Sequence, residues 1–534
     1  MSQAVRADRD PISHESIYVA GSESPDAAIA IAGSLRALLR TRCHPIRAHR
    51  FTLLDTFDSR VTRKGARLTR STVKGTATLA LAPGNGQETV RQTVAQSPAF
   101  AWELPEGPLQ EALAPIIGVR RLLPQAETAA EGSLLDVLDE RRKTVARLRI
   151  ESGQARLPVT RSTWHPLPTI VTLTGLRGYE DVYAQLVEVI KSRPGLSACP
   201  DGLSAVILRQ AGAAVGNLPH LRVDLSPDIP AEIGARRIHQ LIASILVANE
   251  SGLRENLDTE FLHDFRVALR RARSLLRQLK HVFPSAVVDH FSTEFSWLGQ
   301  LTSTPRDLDV LVLMLRSQQD VLADGDLEAL ITFFSRAVTQ ARRPLVEALD
   351  GPRYRALLAE WRTFLTSPVL LNPTAPDASL PLAHVVSRRA WKLSRRIIKS
   401  AKTIDNQTDA TKLHEVRIDA KKLRYLIDVT PAFYDADDLG CILDALKQLQ
   451  RVLGDSNDAQ VQETRLLDYG RALGEAGGRP SALLALGRLA ERSRQRRRHL
   501  NSQVAESLGR FRSRTVRSAC RRAFKRDWPQ ESAT

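Results

Sequence analysis

Two short stretches of this chain carry the same residue types at the same spacing. The first is Leu262-His263-Asp264-Phe265-Arg266-Val267-Ala268-Leu269-Arg270-Arg271-Ala272-Arg273. The second is Leu413-His414-Glu415-Val416-Arg417-Ile418-Asp419-Ala420-Lys421-Lys422-Leu423-Arg424. An offset of 151 residues relates His263 to His414, Arg266 to Arg417, Arg270 to Lys421, Arg271 to Lys422 and Arg273 to Arg424. The same offset relates Leu298 to Leu449, Asp307 to Asp458 and Val310 to Val461. One constant offset across a basic segment and a later acidic one marks an internal duplication. The chemistry these residue types suit is anion capture. Arg offers a bidentate fork, Lys a point charge, and His a donor that gains charge beside an anion.

The elements that must present these groups are helices. Neither Pro nor Gly interrupts Thr259 to Phe283, and Leu262, Phe265, Leu269, Ala272, Leu276 and Leu279 recur at helical intervals. At ~100° per residue they share one face. His263, Arg266, Arg270, Arg273 and Arg277 share another stripe, as do His414, Arg417, Lys421 and Arg424. Like charges three and four residues apart repel by a few tenths of a kcal/mol per pair. An anionic partner would offset that repulsion, and two such helices facing each other would form a cationic groove. A solvated basic face is the alternative reading of any such run. A metal site is a third, but no second His, Cys or carboxylate stands at ligand spacing on the stripe.

The pattern H-x-x-R-x-x-x-[RK]-[RK]-x-R in two halves resembles the CHAD family, the conserved-histidine α-helical domain. Arg306-Asp307-Leu308-Asp309-Val310 follows in the first half and Gly454-Asp455-Ser456-Asn457-Asp458 in the second. The resemblance covers about residues 226 to 525. It implies two pseudo-symmetric four-helix bundles around a central basic channel that binds inorganic polyphosphate without catalysis. The binding positions it implies are His263, Arg266, Arg270, Arg271, Arg273, His414, Arg417, Lys421, Lys422 and Arg424. Tyr425 stands where the family often has a tyrosine. Arg237 and Arg388 are also separated by 151 residues and join the candidate set, with Lys392 and Arg396 behind them. No catalytic residue, metal or cofactor is expected of this region.

Whole-chain properties agree with an anionic partner. There are 76 Lys and Arg against 59 Asp and Glu, a net charge of +17. That balance alone does not choose among polyphosphate, nucleic acid and membrane headgroups. From Arg488 to Arg526 there are fourteen basic residues and two acids, which would attract nucleic acid as well. Aromatics make up only 5%, a poor basis for a single-strand surface built on base stacking. Cys43, Cys199, Cys441 and Cys520 lie far apart, form no metal motif and suit a reducing cytoplasm. No apolar run suggests a membrane span or a signal peptide.

Ahead of the helical region the pattern is α+β. Ser16 to Val19 reads as a strand, and Ala27 to Thr41 as a helix with Asp26 as N-cap. Strands are expected over Phe51–Asp55, Ala66–Val73, Thr76–Leu81, Leu134–Leu138, Thr144–Ile150 and Thr169–Leu173, with a turn at Pro83-Gly84-Asn85-Gly86. A helix is expected over Asp181–Ser192. The segment from Leu53 to Leu68 is similar to the CYTH family, as are Leu113 to Arg121 and Thr169 to Leu196. That resemblance implies an antiparallel β-tunnel that binds triphosphates on basic strands with acidic metal ligands, often placed ahead of a CHAD domain. The acidic positions depart from the pattern. Glu15-Ser16-Ile17-Tyr18-Val19-Ala20 stands for E-x-E-x-K, and Val171-Thr172-Leu173-Thr174-Gly175 for E-x-E-L-K. Arg63, Lys64, Arg67, Arg120 and Arg121 remain as possible anion contacts.

The expected organisation is a tail over 1–14, a degenerate CYTH-like α+β domain over 15–210 and a linker over 211–230. An all-α CHAD domain follows over 231–526, in halves 231–366 and 382–526 around a Pro-rich break, and a tail over 527–534. Helices are expected over Ala231–Ala248, Ala286–Leu301, Leu308–Ala323, Leu327–Leu349 and Leu382–Lys402. The expected function is cytoplasmic polyphosphate binding, at polyphosphate granules. The alternatives are a metal-dependent tripolyphosphatase and a nucleic-acid-binding protein. The sequence leaves the oligomeric state open.

Overall fold

The computed structural model describes residues 12–21, 23–73, 75–82, 89–159, 162–213, 223–317, 324–368, 375–404, 410–475, 477 and 479–525. The tail before residue 12, the 83–86 turn, 214–222 of the linker, 318–323, 369–374 of the Pro-rich break and the tail after 525 lie outside them. The chain divides into two compact units, Met1–Leu218 and Pro219–Thr534.

The first unit is an antiparallel sheet with helices, as its sequence pattern predicts. Its strands are β1 (Ile12–Ala20), β2 (Thr41–Asp55), β3 (Arg67–Val73), β4 (Thr76–Ala82), β5 (Val90–Val94), β6 (Leu123–Leu138), β7 (Thr144–Arg156), β8 (His165–Leu176) and β9 (Leu196–Ala198). Their order is β5-β4-β3-β2-β6-β7-β8-β1-β9. Alternation places Tyr18, Leu135, Leu148, Ile150, Val171 and Leu173 on one face, under the helices Pro25–Leu38 and Glu180–Lys191. The opposite face packs Leu53, Ala126, Leu167 and Ile170 against Ile207 and Leu208 of the Gly202–Gln210 helix.

Arg67 on β3 lies 3.8 Å from Glu15 on β1. Five strand spacings separate β3 from β1 in the sheet order. A flat sheet would hold them about 24 Å apart at roughly 4.8 Å per strand. The sheet is therefore rolled, with Glu15 and Arg67 facing each other across its concave side. Cross-strand register puts Asp136 and Arg147 on the same side as Glu15, with Ile17, Thr172 and Thr174.

Several boundaries differ from the sequence reading. β2 begins at Thr41 because the polar run His44 to His49 extends as exposed strand. β6 begins at Leu123, where small residues such as Ala126 and Thr128 fill the buried positions in place of large apolar ones. The strands β5 and β9 are short and escaped the reading. The first helix is capped by Ser24, whose hydroxyl accepts from the backbone N–H of Asp26, rather than by Asp26 itself.

The second unit is all-helical. Its first half comprises Ala231–Ala248, Glu250–Arg254, Thr259–Gln278, Ser285–Leu301, Ser303–Arg316, Asp324–Asp350 and Pro352–Thr366. Its second half comprises Leu382–Ser400, Ala410–Val429, Ala436–Glu475, Pro480–Phe511 and Arg514–Phe524. The duplication appears in the backbone pairing. Ala231 N–H donates to Leu380 O and Leu382 N–H donates to Ile229 O, each at 2.9 Å. Ile229 and Leu380, like Ala231 and Leu382, are 151 residues apart, so the two bonds are exchanged about a local two-fold axis.

Away from that axis the halves share a core. Leu308, Leu311, Leu315, Leu330 and Phe334 of the first half pack in one cluster with Leu466, Leu486 and Leu489 of the second. One asymmetry is local. The first half breaks between Leu301 and Ser303, whereas the matching part of the second half runs unbroken through Ala436–Glu475.

Candidate functional site

Asp258 starts the first basic helix, Thr259–Gln278, by accepting from the N–H groups of Glu260 (2.8 Å) and Phe261 (3.2 Å). Phe261, Leu262, Phe265, Leu269, Ala272 and Leu276 are buried and fix its rotation. That rotation turns Arg266, Arg270 and Arg273 into a cavity of about 130 Å³, lined also by Leu269, Phe295 and Gln300. In the second basic helix, Ala410–Val429, Val416, Ala420, Leu423 and Ile427 are buried. Half-buried Arg417 and Lys421 lie on another face.

The structure brings much of the predicted set together. Arg266 donates to Thr302 Oγ1 (2.8 Å), Ser303 Oγ (2.9 Å) and Gly299 O (3.1 Å), all neutral acceptors at the 301–303 break. Arg273 donates to the Ser296 hydroxyl at 3.3 Å. The buried Nε atoms of Arg270 and Arg417 have no hydrogen-bond partner. Buried donors are normally satisfied, and Arg271 Nε beside them is also without a partner.

Electrostatics agree with the geometry. Burial pushes the Lys421 ammonium down to about 8, and the charges of Arg417 and Arg270 add to the effect. Burial, with Arg270 beside it, also lowers Arg266 and Arg417. Arg270 thus repels groups on both basic helices, and four cations from the two copies meet in one desolvated cluster.

Other predicted residues are placed differently. Arg271 lies 3.5 Å from Asp428 and its guanidinium is 5.7 Å from the Tyr425 ring centroid. Arg424 donates to Asp428 at 2.6 Å, and Lys422 lies 3.8 Å from Asp419. His263 is half-buried and His414 exposed at the start of their helices. Arg237 is exposed, and Arg388 is exposed and paired with Asp377. Lys392 is exposed, while Arg396 is paired with Asp419 at 2.9 Å.

Sequence reasoning missed Arg306. Its guanidinium donates to Thr259 O at 3.1 Å and adds positive field at Arg266 and Arg270. Position 457, its counterpart 151 residues on, is Asn, so the repeat did not point to it. The paired acids also receive partners. Asp307 accepts from Arg465 at 2.9 Å, across the halves, and Asp458 lies 3.9 Å from Arg417.

The rolled sheet of the first unit is charge-paired on its concave side. Arg67 lies by Glu15, Arg147 is 3.3 Å from Asp136, and Arg149 is 2.9 Å from Glu151. The divalent metal that the CYTH resemblance implies would need several oxygen ligands. Among the described residues no three His, Cys, Asp or Glu side chains gather to hold one, so they do not fit such a metal. Among the described residues no helix is long and apolar enough to cross a membrane.

The chain is similar to two uncharacterized proteins from two strains of Mycobacterium tuberculosis. Each is 27% identical over 290 residues, 52% of this chain and 53% of the relative. The chain thus spans about half the length of the curated relatives it matches. Among solved structures, the CHAD domain from the plant Ricinus communis is 26% identical, covering 54% of this chain and 94% of that one, with a TM-score of 0.46. PptA from Streptomyces chartreusis is 16% identical, covering 52% and 99%, with a TM-score of 0.40. The family model of the CHAD domain matches residues 237–467, a span that contains both basic helices, and the helical unit of this chain carries a CHAD domain.

Proposed function

We propose that this protein binds inorganic polyphosphate, held between the two basic helices of its CHAD domain. The observation that supports this most directly is the cluster of Arg266, Arg270, Arg417 and Lys421, whose charges are desolvated and mutually repelling. A linear polyanion would relieve that repulsion, fill the unpartnered Nε atoms and gain charge-assisted hydrogen bonds along its length. Repetition of the same phosphate unit gives avidity as the chain lengthens. The reading is of a binding protein acting in the cytoplasm, at polyphosphate granules. The paired charges of the rolled sheet support it over a metal-dependent tripolyphosphatase.

Calorimetric titration with long-chain polyphosphate tests the proposal. Wild type binds, and the variant His263→Ala/Arg270→Ala/His414→Ala/Lys421→Ala does not. Absence of binding by the wild type overturns the proposal. Equal binding by the variant moves the ligand to the Arg488–Lys525 segment or the first unit, and tighter binding of DNA or RNA at matched ionic strength favours nucleic acid.

Lys421 sets a pH dependence. A bound anion favours its protonated form, so binding above pH 8 takes up a proton and weakens as pH rises through about 8. Titration at pH 6.5 and 9 in buffers of different ionisation enthalpy measures both effects. Lys421→Arg removes them. A pH-independent affinity in the wild type would show that Lys421 does not titrate near 8 beside the bound anion.

A further inference from the structure

The duplication lets each position in the groove be compared with its counterpart 151 residues away. Residues 263–277 hold Arg266, Arg270, Arg271, Arg273 and Arg277 against a single acid, Asp264. Residues 414–428 hold Arg417, Lys421, Lys422 and Arg424 against three acids, Glu415, Asp419 and Asp428. The first stretch is therefore net +4 and the second net +1. The two added acids stand where the first copy has Ala268 and Arg277.

Both added acids engage cations of the candidate site. Asp419 is buried, 2.9 Å from Arg396 and 3.8 Å from Lys422. Asp428 reaches across the copies. One of its oxygens accepts from Arg424 Nε at 2.6 Å, and the other lies 3.5 Å from Arg271 Nη2 on the first basic helix. At the matching place in the first copy, Arg273 has Arg277 four residues on, and it donates to a neutral serine. A carboxylate held between two guanidinium groups presents them with the same kind of acceptor that a phosphate would.

We propose that Asp428 is a specificity-determining residue, a built-in anion between Arg271 and Arg424 that grades the groove. Phosphate groups then engage first at the Arg266–Arg270–Arg273 end. Arg271 and Arg424 join only when a longer chain displaces the carboxylate. This inference rests on the polyphosphate reading and adds a direction to it. A short phosphate chain is held without Arg271 and Arg424, and length discrimination comes from competition with Asp428.

Two substitutions in the full chain test this, each titrated with triphosphate and with long-chain polyphosphate over a salt series. Asp428→Asn frees two guanidinium groups, so long-chain affinity rises about tenfold or more and the salt slope steepens by about one to two ions. Triphosphate affinity stays near that of the wild type. Arg277→Asp, at an exposed position, gives the first copy the carboxylate of the second and weakens triphosphate binding about tenfold. Unchanged or weaker long-chain binding by folded Asp428→Asn overturns the inference. So does Arg277→Asp with triphosphate affinity intact, and that variant decides alone if Asp428→Asn does not fold. If the wild type binds neither phosphate, the polyphosphate reading fails and this inference fails with it. If the wild type binds and these variants behave alike, only the grading fails.

Discussion

Arg270→Met/Lys421→Met binds long-chain polyphosphate about two to four orders of magnitude more weakly than wild type, because each lost charged hydrogen bond is worth roughly 1.5–3 kcal/mol. The same variant, without ligand, is at least as stable as wild type. Arg270 and Lys421 repel each other across the two basic helices, and burial disfavours the Lys421 charge further. Methionine keeps their packing and removes both costs. Calorimetry measures the first effect and thermal unfolding the second. Opposite signs in the two measurements are the signature of residues retained for binding rather than for folding. A variant that loses stability along with affinity would show that these cations support the fold.

Arg342→Leu destabilises the protein by about 3–5 kcal/mol at pH 7, because it takes the hydrogen-bonded counter-ion from the buried Asp309 charge and leaves only the weaker field of Arg306. Asp309 and Arg342 are 2.7 Å apart and almost fully buried between Ser303–Arg316 and Asp324–Asp350. Burial raises the Asp309 carboxyl to about 6, with Arg342 and then Arg306 opposing that rise. Desolvation therefore outweighs the attraction of the pair. A carboxyl raised above its ordinary 3.8 contributes stability that is present below about pH 4 and lost as pH climbs through about 6. The deficit of the Arg342→Leu variant accordingly shrinks on acidification, while Asp309→Leu/Arg342→Met stays within about 1 kcal/mol of wild type or exceeds it. Urea unfolding at pH 5 and pH 7 measures these values, and a loss below 1 kcal/mol at pH 7 would refute the account. Binding should suffer with stability, since the same hairpin supplies Thr302 and Ser303 to Arg266.

The helical unit was readable because its two demands follow one period. Burial of Leu262, Phe265, Leu269 and Ala272 at helical spacing leaves Arg266, Arg270 and Arg273 together on another face. The groups that modulate the cluster were less readable. Arg306 reaches it by folding back to Thr259, a contact that no local spacing encodes. Asp428 lies beyond the motif, and its partner Arg271 is 157 residues earlier. In the sheet, strands were underread wherever the inward positions carry Ala, Thr or Glu, as β6 does around Ala126 and Thr128. The curl that brings Glu15 to Arg67 depends on pairing across the whole sheet and has no local trace.

The exchanged backbone bonds at Ile229–Ala231 and Leu380–Leu382 form a self-complementary contact, the kind two identical subunits make about a dyad. In a homodimer every substitution is written twice, and an acid gained at one end of the site is gained at the other. Carrying both copies on one polypeptide removes that constraint. Position 277 can stay Arg while position 428 becomes Asp, so the two ends of the proposed site can differ as those of a symmetric pair could not.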